Sequence, residues 1–207
     1  MKIGVSLRVV NAPNYDEKRD ALSHDWISLL EEIELVPILI PNKLKNVNHF
    51  LETLEIKGLI LSGGDNIGDN QERDETEREL IKFSIKEKIP LFGVCRGMQA
   101  INKFFGGKIR ESDNKKHVGK PHTIKITNPN FIIDNDLQNV NSFHNNIIVE
   151  EELGVKLKKF AVTNGDNTIE GFFHEELPIV GVMWHPEREP NKFNKLILNN
   201  FIKQKIR

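Results

Sequence analysis

Only one cysteine, Cys95, occurs in the chain of 207 residues. A lone thiol excludes an intrachain disulfide and agrees with a reducing compartment. Long hydrophobic runs are missing as well: none approaches the roughly 20 residues that span a bilayer. Arg8 interrupts the apolar N-terminus before a signal-peptide core can form, so a soluble, cytoplasmic protein with no membrane partner is expected. Charge of a single sign is absent too, with 29 basic residues against 30 acidic ones and no long run of either. That balance gives no reason to expect a nucleic acid as partner. Metal-ligand spacings such as H-x-x-x-H and C-x-x-C do not occur. Nor does any internal repeat, low-complexity block or interdomain linker, and the length suits one domain covering residues 1–207. Oligomeric state is left open.

What is present alternates. Residues 2–7, 35–41, 58–61 and 91–94 are short apolar runs that read as strands. The prolines of the second run suit a sheet edge. Helical patterns occupy 20–32, 47–54, 73–87 and 98–105; the first sets Leu22, Trp26, Leu29, Leu30 and Ile33 at helical spacing. Such alternation predicts an α/β fold with a mostly parallel central sheet flanked by helices, whose sites gather at the C-terminal strand ends. Arg8, Gly63-Gly64 and Cys95 each follow an apolar run, so all three should meet at that edge. The second half differs. Residues 123–127, 147–149, 157–163, 169–173 and 179–183 predict an additional small antiparallel β region, and a terminal helix runs from 192 to about 205. Residues 113–120 form the expected mobile loop, a candidate substrate lid.

The chemistry concentrates at Gly93-Val94-Cys95-Arg96-Gly97. An apolar strand that turns straight into a helix with its central side chain exposed is a nucleophile elbow. Glycines at the flanks avoid the collisions that a Cβ would bring at so sharp a turn. The helix that follows turns its positive dipole end toward the sulfur and favours the thiolate. Such a nucleophile needs a base, and the base needs a group to fix its tautomer. Of seven histidines, His185 ends an apolar strand and precedes Pro186, which biases it toward extended backbone. There residues i and i+2 project to one side, so Glu187 can reach the imidazole.

Gly93 to Gln99, Val140-Asn141-Ser142-Phe143-His144 and Gly181 to Glu187 together resemble the signature blocks of class I glutamine amidotransferase-like proteins. Within them the chain is most similar to the γ-glutamyl hydrolase branch, and the similarity runs through the whole sequence, including Ser62-Gly63-Gly64-Asp65. By that resemblance Cys95 is the nucleophile, His185 the general base and acid, and Glu187 the third member of a triad. The backbone N–H groups of Gly64 and Arg96 would form the oxyanion hole. Gln99 would hold the glutamyl head group, and Asn141, Ser142 and His144 would line the same pocket. The implied reaction cleaves a γ-glutamyl–nitrogen bond through a γ-glutamyl thioester and releases L-glutamate. It requires no metal or organic cofactor.

Several residues carry two readings. Arg8 either meets the anionic part of a substrate or is an ordinary surface arginine. His144 is either a pocket residue or a structural hydrogen-bonder. Lys115, Lys116, His117, Lys120 and His122 form either a cationic lip for a phosphorylated leaving group or a solvated loop. Trp184 reads as wall packing, and His24, His49 and His174 as ordinary. The chain is also similar to the short γ-glutamyl-CDP-amidate hydrolases of capsule phosphoramidate synthesis, which implies a nucleotide-bearing substrate. Two other functions stand beside the hydrolase: a glutaminase that supplies ammonia to a separate synthase as part of a complex, and a catalytically inactive binding module. The intact Cys95, His185 and Glu187 speak against the last.

Overall fold

The computed structural model describes residues 1–112, 118–131 and 135–203. The first half forms β1 (Lys2–Ser6), β2 (Arg8–Asn11), β3 (Lys18–Ala21), α1 (His24–Glu32), β4 (Val36–Ile40), α2 (Val47–Thr53), β5 (Leu59–Leu61), α3 (Gln71–Glu87), β6 (Leu91–Val94) and α4 (Arg96–Phe104). The second adds β7 (Arg110–Glu111), β8 (His122–Ile126), β9 (Leu137–Val140), β10 (Asn146–Ile147), β11 (Leu157–Thr163), β12 (Ile169–His174), β13 (Ile179–Val182) and α5 (Lys192–Ile202). One mixed sheet takes the order β4-β1-β5-β6-β13-β12-β11-β8-β9. Its pairings are parallel from β4 to β13 and antiparallel from β13 to β9. The fold is α/β, and the antiparallel strands continue the parallel ones edge to edge.

The central strands β5, β6 and β13 are buried along their whole length, because helices cover both faces of this part of the sheet. Alternation sorts their side chains. Ile60, Phe92, Val94, Val180 and Val182 share a core with Trp26, Leu29 and Leu30 of α1 and Ile197 and Phe201 of α5. On the opposite face Leu59, Leu61, Leu91 and Ile179 meet Leu51 of α2, Leu80 of α3 and Met98 and Ile101 of α4. β4 is an edge strand, where Pro37 removes no ladder hydrogen bond.

Some elements differ from expectation. The helix expected from residue 20 begins at His24, capped by the Ser23 hydroxyl, which accepts the Asp25 N–H at 3.3 Å. The residues before it pair instead as β3 against β2, with Arg8 opposite Ala21 and Asn11 opposite Lys18. Asp20 accepts from the Asn42 backbone N–H at 3.0 Å and from its side-chain amide at 2.6 Å. Neither strand of this ribbon alternates apolar with polar residues, so periodicity does not announce it. β9 and β7 carry no such pattern either, and the strand expected over 147–149 forms as the shorter β10 (Asn146–Ile147), paired with β7. The expected end of the terminal helix and residues 113–117 of the expected loop lie outside the described residues. Among the described residues no helix is long and apolar enough to cross a membrane.

β6 enters α4 through Cys95, at φ +50° and ψ −105°, a conformation that residues with a side chain seldom adopt. Two glycines make the turn possible. A Cβ on Gly93 would lie 2.8 Å from the Gly97 backbone, and one on Gly97 would run into the Leu61 carbonyl. Core overpacking typically costs about 1–3 kcal/mol where neighbours can shift. Backbone cannot yield as a side chain can. Gly97→Ala is therefore expected to destabilise the protein by about 3 kcal/mol or more, read from urea unfolding midpoints.

Candidate active site

Four adjacent parallel strands end at one rim. β1 delivers Arg8, β5 the segment Ser62-Gly63-Gly64-Asp65, β6 Cys95 and β13 His185. The sulfur-bearing residue is 7 % exposed and lines a cleft of about 280 Å³ together with Arg8, Gly64, Asp65, Phe143, His185 and Arg188. Its backbone N–H donates to Val182 O at 2.8 Å, which keeps the end of β6 in the sheet.

The imidazole of His185 is buried and held from several sides. Its Nδ1 lies 2.7 Å from Glu187 Oε1, the i and i+2 contact that extended backbone allows. Asn141 grips the backbone of the same residue twice, donating to His185 O at 2.8 Å and accepting from His185 N at 2.9 Å. A Cβ on Gly63 would sit 2.6 Å from His185 Cε1, so this glycine lets the ring pack against the loop. Burial alone pushes the imidazole pKa down. Interactions with Cys95 and Glu187 outweigh burial and raise it from its ordinary 6.5 to about 9.

Sequence reasoning missed what supports the loop and the elbow. Arg73 and Glu77, one turn apart on α3, are fully buried. Arg73 donates to Ser62 O at 2.8 Å, to Gly63 O at 3.0 Å and to Glu77 Oε1 at 3.0 Å. The other side of the Glu77 carboxylate takes the buried guanidinium of Arg96, which also pairs with Asp74. Ser6 donates to Glu77 at 2.9 Å and accepts from Ser62 N at 3.0 Å. An Arg-x-x-x-Glu pair on a charged helix is the only signal in the sequence, and surface pairs give the same one.

The residues expected to bind substrate separate into two groups. Arg8 and Gly64 line the cleft, Gly64 at φ +134°, and Arg96 is the first residue of α4, whose N–H has no intrahelical acceptor. Gln99 is buried; its Oε1 accepts from Asn146 Nδ2 at 3.4 Å, and the same amide donates to Asn66 of the cleft wall at 3.2 Å. Asn141 addresses the His185 backbone. Ser142 and His144 are buried. His144 Nδ1 lies 2.9 Å from Asn146 O, and its Nε2 lies 3.4 Å from the fully buried Glu170. His122 approaches the same carboxylate at 3.4 Å, so it faces inward from β8. Burial pushes the Glu170 pKa up, and the two imidazoles reverse this to a net lowering. Lys115, Lys116 and His117 of the expected lip lie outside the described residues, and Lys120 is exposed. Trp184 packs in the wall, stacked on Phe193 and donating to Asn194 at 2.9 Å.

Residues 13–205 match the family model described as glutamine amidotransferase class-I. The chain belongs to this family. It is 36 % identical to the γ-glutamyl-CDP-amidate hydrolase of Campylobacter jejuni, over 97 % of this chain and 97 % of that one. Another relative, the anthranilate synthase component 2 of Saccharolobus solfataricus, is 29 % identical over 88 % of this chain and 93 % of its own. Among solved structures, a glutamine amidotransferase from Thermotoga maritima shares the amidotransferase fold with a TM-score of 0.66 and 19 % identity. That match covers 100 % of this chain and 86 % of the other. Family membership and a relative named a hydrolase support a hydrolase of carbon–nitrogen bonds.

Two outcomes follow. Removing the Glu77 carboxylate would leave the buried guanidiniums of Arg73 and Arg96 with only their outer partners, Asp65 and Asp74, and breaking a buried pair costs about 3–5 kcal/mol. Glu77→Ala is expected to lose stability on that scale, measured by urea unfolding. The His185 ring, followed by NMR, is expected to titrate near 9, and Glu187→Gln to move its midpoint toward 6.5. Because the folded value is raised, the associated stability is complete below about 6.5 and is lost as pH rises through about 9.

Proposed function

We propose that the protein is a cysteine-dependent hydrolase that cleaves a γ-glutamyl–nitrogen bond, with γ-glutamyl-CDP-amidate as substrate. The observation that carries the reaction is the 2.7 Å contact between His185 Nδ1 and Glu187, on an imidazole that borders the same cleft as Cys95. The nearly full-length similarity to a γ-glutamyl-CDP-amidate hydrolase supports the substrate.

Glu187 occupies Nδ1, which leaves Nε2 for the sulfur. An imidazolium beside it favours the thiolate. The thiolate attacks the γ-carbonyl carbon, and the N–H groups of Gly64 and Arg96 receive the oxyanion. Losing one such donor typically costs about 10²–10³ in rate. The proton on His185 passes to the departing nitrogen as the carbon–nitrogen bond breaks, which leaves a γ-glutamyl thioester and frees cytidine diphosphoramidate for capsule modification. Neutral His185 then takes a proton from water, whose oxygen attacks the thioester. Breaking the carbon–sulfur bond releases L-glutamate and restores the thiolate and imidazolium. Arg8 faces the anionic part of the substrate. Asn141 acts by aiming His185, and Gln99 by bracing the wall through Asn146 and Asn66. Ser142 and His144 stiffen the segment between them.

A second reading, a glutaminase that feeds ammonia to a separate synthase, draws on the 29 % identity to a synthase component. The two separate by assay. The hydrolase alone releases glutamate from γ-glutamyl-CDP-amidate, whereas the ammonia-supplying form works on glutamine only with its partner. Cys95→Ala is expected to lower glutamate release about 10⁴-fold or more while leaving the fold intact. Retained turnover would refute the covalent route.

A further inference from the structure

The cleft beside Cys95 carries more charge than the triad uses. It is lined by two guanidiniums, Arg8 and Arg188, and by two carboxylates, Asp65 and Asp69. Both carboxylates are engaged on their own side. Asp65 pairs with Arg8 at 3.3 Å and lies 3.6 Å from Arg73, and Asp69 accepts the Asn66 N–H at 3.0 Å. Arg188 has no carboxylate partner among the described residues. Its guanidinium lies 4.1 Å over the ring of Phe143. That ring is 45 % exposed and meets the His185 imidazole edge-on, at 5.8 Å between centroids.

Stacking of this kind occupies the face of a guanidinium and leaves its N–H fork unused. A rigid fork beside a reaction centre is matched to two oxygens of one oxyanion. Its position relative to His185 decides which end of the substrate it meets. The acyl carbon must sit on Cys95, and the departing nitrogen must reach His185 to be protonated. Whatever hangs on that nitrogen then extends along the side of the imidazole that Phe143 and Arg188 flank. The exposed ring offers an apolar surface there, and the cation offers a charge.

We infer that Arg188, held by Phe143, grips the phosphoryl oxygens of the leaving group and so selects phosphorylated γ-glutamyl amides. This rests on the hydrolase reading for its choice of leaving group, and its test does not depend on turnover. Cytidine diphosphate is titrated calorimetrically into Cys95→Ala protein, with and without Arg188→Gln. Binding is expected to weaken about 10–100-fold on loss of this charged contact. Arg188→Lys should recover part of it, since charge returns without the fork. Three results would each overturn the assignment: no saturable binding, equal binding with and without Arg188, or malonate binding as tightly as the diphosphate. Failure of the wild-type protein to release glutamate from any γ-glutamyl amide would instead overturn the hydrolase reading and leave the binding result standing on its own.

Discussion

Glu77 lies between two guanidiniums in a place that water does not reach. A buried ion pair of this sort adds little net stability over well-packed apolar residues, because desolvation consumes most of the attraction. What it does is restrict geometry. Each oxygen of the carboxylate answers a different arginine, one reaching the carbonyls after β5 and the other belonging to the first residue of α4. Ser6 adds the end of β1 to the same oxygen that Arg73 uses. Three segments that form the rim are thereby referred to one point, and the loop carrying Gly64 and the elbow helix are tied to the same carboxylate.

The rim itself is a consequence of sheet order. β1, β5, β6 and β13 are neighbours and run the same way, so the residues that follow them converge. Convergence places side chains within several ångströms of one another, and finer devices complete the site. The strained backbone at Cys95 holds the thiol toward the cleft, and Asn141 sets the height of His185 through its main chain. Gly63 allows the ring to approach the loop. Glu187 reaches Nδ1 from two residues away, so base and orienter come from one short segment and need no distant partner. Burial then makes each of these interactions count for more than it would in water.

Relatives in the family are named for very different nitrogen chemistry, and in the proposed reaction an acyl half is distinct from a leaving-group half. The acyl half uses groups at strand ends, where the sheet constrains them. Phe143 and Arg188, to which we assign the leaving group, follow β9 and β13 in connecting segments. Connecting segments can change without disturbing a core, and specificity commonly resides there.

Much of this was legible without coordinates. Apolar runs bounded by turn residues gave away β1, β5, β6 and β13, because a strand buried on both faces must be apolar throughout; β4 was equally readable from its apolar run and prolines, although it lies half exposed at the sheet edge. The Gly-x-Cys-x-Gly frame and His185-Pro186-Glu187 were readable for an equally local reason: each depends on backbone geometry within a few residues. The β2–β3 ribbon was not, since its polar strands carry no period and are held by pairing with each other. Arg73 and Glu77 looked like any charged pair on a helix until packing buried them. Phe143, Arg188 and Glu170 likewise owe their contacts to what lies opposite. The chain by itself determined the parallel strands and where the sharp turn falls, and it marked the candidates for nucleophile and base. Only tertiary structure decided which charges lost their water, which side chains face the cleft and which face the core, because those outcomes depend on contacts between residues far apart in sequence.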